Sequence, residues 1–266
     1  VNPPNDLQTN ASLLLLEIGN SHVTVATDIA GQLRSQHRFG HDQLDQVLDC
    51  AGQSWDALPD DRIKSIAAAS VVPRILSSLR GRLGERFESP LLAVGQELHR
   101  PLSLAVEAPE KVGVDRVCAA AAAYEVLSRA CVIASFGTAI TIDCVNDEGV
   151  FMGGAILPGI GLQARILHEA TAALPLVRID DAAGVFGAST EHAIRNGVIY
   201  GAVGALREIT ERYATELHAW PQLVLTGGNA SLVSRHCDFF DSVVPDLCLR
   251  GIALAYRRHF AAFDDD

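Results

Sequence analysis

Residues 14–31 read LLLEIGNSHVTVATDIAG, and residues 132–149 read VIASFGTAITIDCVNDEG. Leu14 laid on Val132, an offset of 118 residues, brings the two together once a two-residue shift is allowed in the second arm. Each is then a buried apolar strand, a Gly turn, an alternating strand and a turn holding a second Gly. Glu17 falls on Ser135, Gly19 on Gly137 and Asn20 on Thr138. Chance is one explanation, because buried strands with Gly turns are common. The other is a duplicated α/β chain, each half a mixed sheet led by a β-hairpin. Glu17 is the odd residue. It follows four leucines, Leu13 to Leu16, and an unpaired buried carboxylate is costly. Such a group belongs at the mouth of something, facing either a structural partner or a phosphate and its metal.

Working outward, "HVTVATD" and "LRSQHRF" alternate as strands around the turn "AGQ". Residues 42–53 read as a helix, 63–70 as a strand, and "VPRILSSLRGRL" as a helix. "SPLLAVG" is a strand, and the alanine-rich "VDRVCAAAAAYEVLS" is a strong helix. The pattern restarts with strands at 131–137, "AITIDCV" and "VFMGGAIL", then helices over about 159–173 and 190–217. "QLVLTGG" and the short "DSVVP" are strands, and "DLCLRGIALAYRRHF" is the closing helix. Residues 1–12, polar and Pro-rich, read as a disordered leader without the features of a signal or transit peptide. The domain reading is therefore 13–115 and 116–266.

At 266 residues and 48% hydrophobic, the chain is long enough for two lobes with real cores. A net charge of -11 without a basic stripe argues against nucleic acid as a partner. No apolar run reaches the length of a membrane span. The six cysteines form no CxxC pair and several lie in apolar runs, which suits reduced thiols in a cytoplasmic protein. The dispersed histidines offer no zinc pattern.

A strand–Gly–strand hairpin can cradle phosphate by presenting backbone N–H groups, with Gly permitting close approach and unusual φ. The chain has two, Glu17-Ile18-Gly19-Asn20-Ser21 and Ser135-Phe136-Gly137-Thr138, one in each half. A third Gly turn, Thr226-Gly227-Gly228, suits the adenosine side of a nucleotide. There is no GxxxxGK[ST], which excludes a Walker-type site. "GIGLQA" at 159–164 matches GxGxxA, with Asp180 and Asp181 downstream. However, Pro158 precedes it and its strand reads as a hairpin arm, unlike a dinucleotide fingerprint. In "VGVDRVCAA", Asp115 and Arg116 open a helix. An acid there is favoured by the macrodipole alone. It also suits a general base, with Arg116 as a planar clamp for a carboxylate.

Nine motifs in order, from "EIGNSH" through "AAASVVP" (67–73), "GVDR" (113–116), "GTAITID" (137–143), "GGAILPG" (153–159), "TAALP" (171–175), "STEHAIRNG" (189–197) and "TGG" to "PDLCLRG" (245–251), resemble the type III pantothenate kinases. Those kinases belong to the acetate and sugar kinase/actin-like superfamily. The resemblance covers about residues 13–262 and implies two duplicated actin-like, ribonuclease H-like domains, each a mixed sheet flanked by helices. It implies ATP-dependent phosphorylation of the primary hydroxyl of pantothenate, the first step to coenzyme A. Asp115 matches the proton acceptor. Gly113, Val114 and Arg116 match the substrate segment, and Thr190 a substrate contact near the interface of a homodimer. Thr138 matches an ATP contact. The family uses Mg²⁺ and a monovalent cation, K⁺ or NH₄⁺.

Three positions depart from the family. Glu17 stands where the first hairpin carries Asp, and Ser135 where the second carries an Asp that holds the monovalent cation. Val106 stands where the segment before "GVDR" carries Tyr. Glu keeps the charge but moves it out by about 1.5 Å, onto Mg²⁺ or against the γ-phosphate. Ser keeps an oxygen without the charge. These departures leave two readings: an active kinase with altered cation dependence, or a nucleotide-binding homologue with little activity that serves as a sensor or interaction protein.

Overall fold

The computed structural model describes residues 11–261. The leader read over 1–12 lies, up to residue 10, outside the described residues, and Ala11 and Ser12 already belong to the first strand. The chain divides into two compact units. The first holds the described residues up to Ser103, Glu107–Ala122 and those from Leu247 onward; the second holds Leu104–Val106 and Ala123–Asp246.

In the first unit, β1 (Ala11–Ile18), β2 (His22–Ile29), β3 (Gln32–Gly40), β4 (Ile63–Ser70) and β5 (Leu91–Ala93) form one sheet in the order β3-β2-β1-β4-β5. β1 runs antiparallel to β2 and parallel to β4. A central strand covered on both faces reads as a continuous apolar run. That is why Leu13 to Leu16 are all essentially unexposed, each contributing about 1.5–3 kcal/mol by burial. Leu14, Leu16 and Ile18 face α1 (Leu44–Asp56) and α2 (Pro73–Phe87). Leu13 and Leu15 face the opposite core, which includes residues of α3 (Val114–Leu127) and of the closing helix. The β2–β3 turn places Ala30 and Gly31 at φ 52 and 83, the two positive angles of a two-residue hairpin turn.

The second unit repeats this arrangement. β7 (Cys131–Phe136), β8 (Ala139–Val145), β9 (Val150–Pro158), β10 (Gln222–Thr226) and β11 (Ser242–Val243) lie in the order β9-β8-β7-β10-β11, with the short β6 (Ser103–Leu104) beside β9. Two sheets with the same order and the same mixture of directions are a duplication, which removes chance as the explanation. The hairpin turns differ by one residue, not two: Glu17 faces Thr24, and Ser135 faces Thr141. α4 (Ile160–Glu169) and α5 (Thr190–Leu217) pack on one face. α4 stops short of the read helix; the Thr171 hydroxyl donates to the Leu167 carbonyl just beyond its last turn. A short α6 (Ala230–Ser234) follows β10.

The closing helix, α7 (Leu247–Ala261), differs from the sequence reading. It packs with the first unit, not the second. Its Gly251 sits so close to α3 that a Cβ there would lie 2.0 Å from the Cys118 carbonyl oxygen. Buried Asp28 of β2 pairs with Arg257 of α7. The first unit also keeps α3 as far as Ala122, past the read boundary at 115/116. None of the helices among the described residues is long and apolar enough to cross a membrane.

Candidate functional site

Residues paired in register share a face of a sheet. Glu17 pairs with Ala69 on one side and Thr24 on the other, and Thr24 with Arg38. The row Ala69–Glu17–Thr24–Arg38 therefore lies on the face of Leu13 and Leu15, one step beyond the apolar row Ala67–Leu15–Ala26. This accounts for a leucine run that ends in a carboxylate. Glu17 stands where the covered face gives way to the hairpin turn.

Asp115, on the first turn of α3, belongs to the same corner. Burial holds the Glu17 carboxyl above the usual range, and the charge of Asp115 adds to the effect; Arg38 and a hydrogen bond with Cys248 oppose it. Burial likewise raises Asp115, against the amide and charge of Arg116. The Arg116 N–H donates to Asp115 Oδ1 at 2.9 Å. Gly113 makes room for this carboxylate, since a Cβ on it would lie 2.6 Å from Asp115 Oδ1. Arg100 donates to the Pro109 and Glu110 carbonyls and ties down the segment that leads into Gly113 and Val114.

The first turn is closed by Gly19 N–H donating to the His22 carbonyl at 3.0 Å, with Asn20 and Ser21 at its tip. His41 Nε2 lies 3.0 Å from the Gly19 carbonyl. The second closes through Gly137 N–H to the Ala139 carbonyl at 3.0 Å, leaving Thr138 exposed. Neither Gly19 nor Gly137 has a positive φ, and in each a Cβ would meet only a carbonyl oxygen at 3.6 Å. The expectation of unusual φ at these glycines is thus corrected: backbone conformation does not require them, and the space beside them is open. Gly159 and Gly227 are the constrained ones. A Cβ on Gly159 would lie 2.3 Å from the Thr138 carbonyl oxygen; Gly227 has φ +89 and sits on the Phe136 backbone.

In the second unit the corresponding row is Thr226–Ser135–Thr141–Ile156. It carries three hydroxyls and no charge. A carboxylate does occur one row deeper, at buried Asp143, for which Gly154 leaves room. Gly228 follows Gly227 in the turn after β10. Val106 lies against Gly153 of β9, at 3.5 Å from where its Cβ would be. Thr190 is exposed at the first residue of α5, whose cap Ser189 accepts from the His192 N–H at 3.2 Å. The "GIGLQA" stretch joins α4 to β9, an antiparallel arm, which is not dinucleotide-binding topology.

Sequence reasoning gave no role to Arg38, His22, His41, Arg100 or Asp143. The motifs "EIGNSH" and "GTAITID" contain His22 and Asp143. The others need strand register or loop contacts that no spacing signals.

Mg²⁺ typically takes one or two carboxylates plus substrate phosphates. Glu17 fits, because a buried carboxylate that also feels the charge of Asp115 is relieved by a cation. The row at Ser135 does not fit a monovalent cation that needs a carboxylate there, because its donors are neutral hydroxyls.

The family model for type III pantothenate kinase matches residues 13–212. A Campylobacter jejuni protein described as a Baf family transcriptional activator is 20% identical, with a TM-score of 0.61 over 93% of this chain and 99% of its own. The ethanolamine utilization protein EutJ of Carboxydothermus hydrogenoformans is 14% identical, with a TM-score of 0.52 over 96% and 90%. Component A of the Acidaminococcus fermentans (R)-2-hydroxyglutaryl-CoA dehydratase is 12% identical, with a TM-score of 0.52 over 95% and 98%. These structures share the fold. With the family model covering most of its length, the chain belongs to the type III pantothenate kinases.

Proposed function

We propose that this kinase-type phosphotransferase moves the γ-phosphoryl group of ATP to the primary hydroxyl of pantothenate, without needing a monovalent cation. The observation that carries this reading is the carboxylate pair, Glu17 and Asp115, in one partly buried corner at the end of β1, both held above the ordinary carboxylate range by burial. Asp115 accepts the hydroxyl proton. Its raised value brings it closer to the operating pH, where a general base works best. Arg116, beside it, is the partner for the pantothenate carboxylate. The turn tips, Asn20–Ser21 and Thr138, are the segments that would meet phosphate oxygens, and Thr226 to Gly228 serve the nucleotide. Glu17 is the residue that would hold Mg²⁺, which when bound neutralises phosphate charge. Catalysis in such a site is positioning and electrostatics. Steady-state ADP release tests the reading: Asp115→Asn should cut turnover by about 10²–10⁴-fold with an unchanged Tm. An unchanged rate removes Asp115 from this role.

A homodimer forms part of the proposal. Val185 and Phe186 are 81% and 87% exposed at a loop tied to α5 by Asn196 and Tyr200, just before Thr190. An apolar tip in solvent, beside such anchors, suits a protein contact. Phe186→Asp should yield a monomer by sedimentation.

The neutral row at Ser135 favours a second reading, a nucleotide-binding homologue with little activity. Nucleotide binding without ADP release would select it.

A further inference from the structure

We infer that Arg38 is a catalytic residue of this site, which binds the terminal phosphate of the nucleotide and stabilises its charge during transfer. The inference rests on the kinase reading above and adds a group that the sequence motifs do not include. Register sets Arg38 in the row Ala69–Glu17–Thr24–Arg38, so it shares the face of the Glu17 carboxylate. Its guanidinium reaches back along the sheet to His22 Nδ1 at 3.0 Å, beside the turn Asn20–Ser21. Arginine only donates, so Nδ1 is the acceptor and the ring proton sits on Nε2. Burial, Arg38 and His41 all hold His22 below the usual histidine range. The ring is therefore a neutral prop: it aims the guanidinium at the turn without cancelling its charge.

Charge balance favours such a group. ATP brings several negative charges to a corner that already holds Glu17 and Asp115, on a chain of net charge -11. A planar guanidinium can grip a phosphate with two parallel hydrogen bonds. Arg34, four residues earlier on β3, makes a local bond to Gln32 at 3.0 Å, the ordinary behaviour of an edge-strand arginine. Arg38 instead folds toward the phosphate turn. At the matching place in the second sheet stands Ile156, so this cation is peculiar to the first hairpin.

The test is calorimetry of MgATP and MgADP binding, with kcat measured in parallel, on wild type, Arg38→Gln and Arg38→Lys. Arg38 is exposed, so neither variant disturbs a core. Wild type should bind ATP more tightly than ADP. Arg38→Gln should erase that preference and lower kcat by about 10²–10³-fold, and Arg38→Lys should restore part of both. An Arg38→Gln protein that keeps its preference for ATP and its kcat overturns this inference alone. A wild type with equal affinity for both nucleotides also overturns it. A wild type that binds neither overturns the kinase reading with it.

Discussion

The two hairpins descend from one design and have diverged in one row. In the first unit the row is Ala69–Glu17–Thr24–Arg38; in the second it is Thr226–Ser135–Thr141–Ile156. One holds an anion and a cation, the other three hydroxyls and a hydrocarbon. The turns beyond both rows are alike: each is closed by the N–H of a glycine without positive φ. The difference separates two tasks that a phosphoryl-transfer site must combine. Holding phosphate needs only donors, which turns and hydroxyls supply. Moving charge needs ionised groups, and these gather at the first hairpin, with Asp115 beside them.

The largest effect follows from that contrast. Glu17→Gln should lower kcat by about 10²–10³-fold, whereas Ser135→Ala should leave most of the activity. Equal losses in steady-state assays would mean that the rows share the work. The same variant carries a stability signature. Glu17 binds its proton more tightly folded than unfolded, so it costs the fold stability as pH rises through the raised value. Glu17→Gln should therefore raise the Tm at neutral pH. The gain should fade toward about pH 4, where the unfolded carboxyl also protonates. A pH-independent gain would contradict the burial of this charge.

Gly113→Ala should come next. Its Cβ would displace the Asp115 carboxylate, and a misplacement of about 1 Å costs on the order of 10²-fold. The loss should appear in kcat, with little change in Tm.

Glycines divide the units again. Gly251→Ala drives a methyl into the Cys118 backbone and should destabilise by about 1–3 kcal/mol or more. Gly204, on the exposed side of α5, has nothing within 4 Å of its Cβ position; Gly204→Ala should add about 0.5–1 kcal/mol. Thermal melts check both. The smallest expected effect is a gained one: Ser135→Asp, with or without Glu17→Asp, should make turnover respond to K⁺ where the wild type does not.

Much of this was legible in the sequence. Leucines buried on both faces, paired turns and alternating arms identify the hairpins, and the spans 63–70 and 190–217 match their elements to the residue. The place of Asp115 at a helix start was legible in "GVDR", and its candidate role came from the resemblance of that motif. Other features were not. An apolar stripe on α7 says that the helix is buried, not where; the close approach of Gly251 to Cys118 places it on the first unit. The row at Glu17 was invisible because it depends on pairing across β2 and β3, where the register shifts between Val25 and Thr27. "QHRF" alone gives no hint that Arg38 returns to His22.

The central claim is that the charged first hairpin supports phosphoryl transfer without a monovalent cation. ADP release with ATP, Mg²⁺ and pantothenate, measured with and without K⁺ or NH₄⁺, tests it most directly. The account predicts turnover that depends on pantothenate and is indifferent to the monovalent salt. No turnover at millimolar pantothenate under either salt would contradict it.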